Sequence, residues 1–146
     1  MHRTILALTA FCSAAGAAHA DTRFFCSADD KDVRFTVESG FEAGGGHKLN
    51  HFRGALVMKS GDIPQALKKI AVNSENLTHH WSHDGELRLE VFYDGGDDAK
   101  GQGLSLIVTA GQRGKSMTAF SGTYELAVEG GAKPLAASGK VSCGSK

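Results

Sequence analysis

The stretch LTHHWSHDGELRLEVFYD, Leu77 to Asp94, decides how this chain is read, because it holds the sole Trp and three of the seven His. Leu87, Leu89, Val91 and Tyr93 alternate with Glu86, Arg88 and Glu90, and that period of two is the mark of a half-buried strand. Phe92 is the one apolar interruption of the polar side. Asp84-Gly85 just ahead of this strand signals a hairpin turn, which makes the residues before it the partner strand. A two-residue loop would pair Trp81 with Arg88 and bring His80 to the apolar face. A three-residue loop, His83-Asp84-Gly85, pairs Trp81 with Leu87, His79 with Leu89 and Leu77 with Val91, and gives Gly85 the left-handed position of a bulged turn. A slip of one residue turns every side chain over, so the apolar pattern selects the three-residue loop and a buried Trp81.

The same register governs the histidines. Written as H-H-x-x-H, His79, His80 and His83 look like a ligand set, but neighbours on a strand face opposite ways. Zinc-binding pairs on a helix share a face through i, i+4 spacing, which this strand does not supply. These are therefore read as strand and turn histidines, with Asp84 a turn residue, and no metal site is expected.

At the start of the chain His2 and Arg3 precede an apolar run from Ile5 to Ala18, and Ala18-His19-Ala20 has the small-x-small form of a cleavage site. Residues 1–20 are expected to be a cleaved signal peptide, with 21–146 a single domain in the periplasm or outside the cell. Phe11 ahead of Cys12 is too large for a lipobox. The processed chain carries 15 basic against 16 acidic residues with no basic run, which argues against nucleic-acid or anionic-membrane partners. Only Cys26 and Cys143 then remain, and an even pair in an exported chain is expected to form a disulfide.

Further strands are expected from Thr22 to Ala28, Val33 to Glu38 and about Lys48 to Lys59, and then from Leu104 to Thr109, Phe120 to Val128 and Leu135 to Cys143. Asp62 to Asn73 is the one helical candidate, with Asp62 as cap, Pro64 in the first turn, and Ile63, Ala66, Leu67 and Ile70 on one stripe; Ile70 and Val72 also suit a strand. Short Gly- and Asp-rich turns between successive strands make an antiparallel meander. A disulfide between the first and last strands brings the ends together. The fold class is therefore all-β, about eight strands closing into a small barrel with one short helix; a two-sheet sandwich is the alternative.

No nucleophile elbow, phosphate-binding loop or H-E-x-x-H helix occurs, so no catalytic residue and no cofactor is assigned. Trp81, His79 and Tyr124 are the candidate ligand-binding residues, grouped at a barrel cavity. The second function class is a protein-interaction module working through exposed loops such as Phe41 to His47 and Asp94 to Gly103. The leading expectation is a monomeric, non-enzymatic exported protein binding a small ligand in or at the barrel. The leader, the small size and the element Phe24-Phe25-Cys26 resemble the bacterial periplasmic inhibitors of c-type lysozyme. That resemblance implies a disulfide-linked barrel and a loop bearing S-G-x-x-Y that enters the enzyme's cleft. Ser121-Gly122-Thr123-Tyr124 is one residue shorter than that element and the family's tryptophan-containing motif is absent, so no inhibitory residue is carried over.

Overall fold

The structure, a computed structural model, describes residues 23–41, 49–112 and 119–145. The leader expected at residues 1–20, Cys12 and most of the loop expected from Phe41 to His47 lie outside the described residues. Nine strands form one sheet: β1 (Arg23–Asp29), β2 (Val33–Phe41), β3 (Leu49–Met58), β4 (Lys69–Asn73), β5 (Leu77–His83), β6 (Glu86–Tyr93), β7 (Gly103–Gln112), β8 (Ala119–Glu129) and β9 (Leu135–Ser145). Their order is β4-β3-β2-β1-β9-β8-β7-β6-β5. The first and last strands are thus neighbours inside the sheet, and its edge strands, β4 and β5, come from the middle of the chain. Every adjacent pair is antiparallel. Alternation around an odd number of strands therefore leaves β4 and β5 running the same way. A single 3₁₀ turn, Ser74–Asn76, joins them. They act as one broken course that bonds to β3 in its first half and to β6 in its second. The result is an eight-course barrel that nearly closes, with a seam where that course changes partner.

The expected antiparallel meander with meeting ends is present, and the sheet is continuous. Cys26 and Cys143 face each other in the β1–β9 register and are bonded, with 4.1 Å between their Cα atoms. Alternate residues of the wall fill the interior, among them Phe24, Phe35, Val37, Leu56, Leu89, Leu106, Val108, Tyr124 and Leu126. Ile63 and Leu67, from the β3–β4 connection, are buried with them.

Two expectations are corrected. The helix from Asp62 to Asn73 is absent: the segment is a 3₁₀ turn at Gln65–Leu67 followed by β4, the ninth strand. Pro64 is extended and no side chain caps the turn. Ile70 and Val72 sit opposite Leu56 and Gly54 of β3, and this long-range pairing overrides the short amphipathic stripe. The hairpin register is the second correction. Asp84 and Gly85 both have positive φ, 49° and 76°, which makes a two-residue type I′ turn whose twist matches the strands. His83 pairs with Glu86, Trp81 with Arg88 and His80 with Leu89. A bulge between Leu77 and His79 restores Leu77 to its place opposite Val91. Trp81 is consequently on the outer face and 45% exposed rather than buried against Leu87. His79 lies opposite Glu90, outside, and not beside Leu89. His80 shares the inner side of Leu89 yet remains exposed, because among the described residues β5 is an edge strand paired only with β6.

Candidate binding surface

The three residues expected to share a ligand site are divided between two environments. Tyr124, on β8, is fully buried and packs edge-on against Phe35, with ring centroids 5.3 Å apart. Its hydroxyl donates to Asp30 Oδ2 in the β1–β2 turn. The other oxygen of Asp30 accepts the backbone N–H groups of Asp32 and Val33, at 2.9 and 3.1 Å. Burial, and then the carboxylate of Asp30, push the Tyr124 phenol well above its ordinary 10.0. The Tyr124 hydroxyl, with those N–H groups, holds Asp30 below its ordinary 3.8 despite the opposing cost of desolvation. This pair, with Tyr124 buried and Asp30 half-buried, ties the β1–β2 turn to the barrel wall.

Trp81 and His79 do come together, on the outer face of β5. The Arg88 guanidinium lies 5.5 Å from the centre of the indole, and the His83 ring 6.0 Å from it. His79 Nδ1 is 2.6 Å from Glu90 Oε2, with the carboxylate accepting. Both belong to a shallow groove completed by Ile107 and Thr109. Among the described residues no group of three His, Cys, Asp or Glu converges as a metal ion would require.

The outer wall continues beyond them in register. One row runs Phe92, Ser105, Ala127, Ala136 across β6 to β9, and the next runs Glu90, Ile107, Glu125, Ser138. Phe92 and Ile107 are 48% and 38% exposed, large apolar groups standing above a track of small ones. Open grooves flank them on both sides. The groove beside Phe92 is bordered by Asp94, Gly101 and Gln102, so the loop expected to serve interaction adjoins this track. The sequence marks Phe92 as an interruption of the polar side without assigning it a role, and Ile107 left the same trace unread: both are apolar at polar-side positions of otherwise alternating strands.

Ser121-Gly122-Thr123-Tyr124 lies inside β8, paired with Gly111 through Val108 of β7, and is not a protruding loop. No helix among the described residues is long and apolar enough to cross a membrane. No family model, curated protein or solved structure matches this chain. What the fold defines is a class: a small disulfide-linked β-barrel, nearly closed.

Proposed function

We propose that this chain is an exported, non-enzymatic binding protein that contacts another exported protein through the outer wall of β6 to β9, in the manner of an inhibitor of a secreted enzyme. The observation that carries the reading is the pairing of exposed Phe92 and Ile107 with the small-residue track Ser105, Ala127, Ala136 and Ser138. Large apolar groups on a rigid sheet beside flat ground are suited to insertion into, and close approach by, a partner surface. The side chains packed into the barrel weigh against a ligand held inside it, and Tyr124 is committed to Asp30. Asp94 and Glu129 border the groove beside Phe92 and supply a polar rim, while Glu125 stands within the patch between Ile107 and Ser138.

A photoreactive phenylalanine analogue placed at Ile107, and separately at Lys69 on exposed β4, tests this in protein recovered from its own host. The Ile107 probe should crosslink one protein species, the Lys69 probe should not, and Phe92→Asp should remove the crosslink. Equal labelling from both positions would overturn the reading. So would native mass spectrometry that finds a small molecule retained in place of a protein.

A further inference from the structure

The second unusual surface is the free edge of β5. This strand pairs only with β6 among the described residues, and apart from half-buried Leu77 and Ser82 its residues are exposed. The Gln112 N–H donates to Gly85 O at 2.9 Å, so Gly85 and, by alternation, Leu87 and Leu89 bond toward β7. Glu86, Arg88 and Glu90 then bond toward β5, where their partners are His83, Trp81 and His79. By the same alternation His80 and Ser82 aim their backbone N–H and C=O groups off the edge.

Exposed edges are commonly guarded by Lys, Pro or inward-pointing charge. The other edge, β4, begins with an exposed Lys69. The edge LTHHWSH contains no Lys, Arg, Asp, Glu or Pro, and its bulge at Thr78 leaves His79 to His83 regular. With no Lys, Arg, Asp or Glu along it, this strand offers no fixed counter-charge to a charged peptide and no fixed-charge repulsion to a copy of itself. It also carries its one large aromatic at the centre of that regular segment.

We propose that two copies of the chain pair antiparallel through β5, about a two-fold axis at Trp81. His80 then exchanges both backbone hydrogen bonds with the partner's Ser82, and Ser82 does the same with the partner's His80. Trp81 meets the partner's Trp81 in a non-hydrogen-bonded position, where cross-strand side chains stand closest. His79 falls opposite the partner's His83. The interface is self-complementary, as a two-fold contact must be. It joins two barrel walls into one sheet through the backbone edge of β5, whereas Phe92 and Ile107 stand on β6 and β7; Ile107 borders the groove that holds Trp81, so the two contacts adjoin. It also replaces the expectation of a monomer.

The chain has a single Trp, so an exciton-coupled circular-dichroism couplet between indoles requires two chains. Sedimentation equilibrium should show a concentration-dependent dimer, and the couplet should grow with the dimer fraction. Trp81→Lys sets like charges on the axis and should weaken association by about tenfold or more, since like charges directly opposite on paired strands repel. His80→Pro removes an edge-directed N–H without touching the β6 ladder, and should give a folded monomer with no couplet. A monomer at every concentration, a dimer without the couplet, or a Trp81→Lys variant that associates as well as the parent, with far-ultraviolet dichroism showing it folded, would each overturn the proposal.

Discussion

Tyr124, buried in the wall, and Asp30, half-buried in the β1–β2 turn, are joined by a hydrogen bond. The phenol donates to one carboxylate oxygen while two backbone N–H groups bond to the other, so the ionised form of Asp30 is well solvated by the protein. Its pKa in the fold lies below the ordinary 3.8, with the Tyr124 hydroxyl the largest cause. A depressed carboxylate contributes stability that is present above the unfolded value and lost as pH falls through the folded one. Stability should therefore decline on acidification below about pH 4, where the unfolded carboxyl begins to take up its proton first. Tyr124→Phe removes the main donor and should cost about 1.5–3 kcal/mol at neutral pH, the range for hydrogen bonds to charged groups. It should also flatten the acid limb. Urea unfolding of both proteins from pH 7 to pH 2.5 measures the two effects together; an unchanged acid limb in Tyr124→Phe would assign the pH dependence elsewhere. At this scale the sequence was informative about burial and less so about purpose. Tyr124 was legible as an inward aromatic, but its partner stands 94 positions away in the sequence and left no local signal.

The elements divide by how much of their pattern is local. The hairpin β5–β6 was legible from Asp84-Gly85 and from the alternation of β6, yet its register was not. The inner side of β5 is His80 and Ser82, so an argument that assumes an apolar inner face on both arms selects the wrong loop. An edge strand has no wall to bury against, and its side chains need not alternate. The segment from Asp62 to Asn73 misled in the opposite sense: Ile63, Leu67 and Ile70 all are buried, but in a connection and a strand rather than along one helix. The candidate site followed the same division. Trp81 and His79 stand in one groove, but on the outer face and not the inner one expected, because orientation depends on register. Gly122 shows a constraint that only pairing reveals. A Cβ there would lie 1.9 Å from the Thr109 carbonyl oxygen and 2.7 Å from the Ala110 Cα, both backbone atoms that cannot step aside. Gly122→Ala should thus force β7 and β8 apart and cost about 3 kcal/mol, the upper part of the usual range for overpacking. Gly61→Ala, where nothing lies within 4 Å, should change stability little. Denaturant midpoints for the two variants compare them directly, and equal midpoints would mean that the β7–β8 approach is looser than the structure has it.

For the whole molecule the decisive feature is where the barrel is closed and where it is left open. A meander of this kind could carry its seam at the chain ends; here the ends pair and the seam falls mid-chain, between β4 and β5. The pairing of β1 with β9 is also the shortest ladder among the described residues. Phe24 to Ser27 meet Ser142 to Ser145 over four residue pairs, against ten along β8–β9. Backbone pairing that short is a poor hold between the first and last strands, and the Cys26–Cys143 bridge lies within it. With 117 positions between the cysteines, the bridge restricts nearly the whole unfolded chain, and loss of such a bridge costs about 2–5 kcal/mol. The expected consequence is local before it is global. In a Cys26→Ala/Cys143→Ala variant, amide exchange should quicken first in β1 and in the last third of β9, while β7 and β8 keep their protection until global unfolding. The seam at β4–β5 should be unaffected, because the Ser74–Asn76 turn that bridges it is held by the Asn73 and Asn76 side chains and by Asn76 Nδ2 bonded to the Phe92 carbonyl. Hydrogen exchange read by mass spectrometry resolves these segments. Were β4 and β5 to open ahead of β1 and β9, the mid-chain seam would be the weaker closure, and the bridge would act only on the unfolded chain.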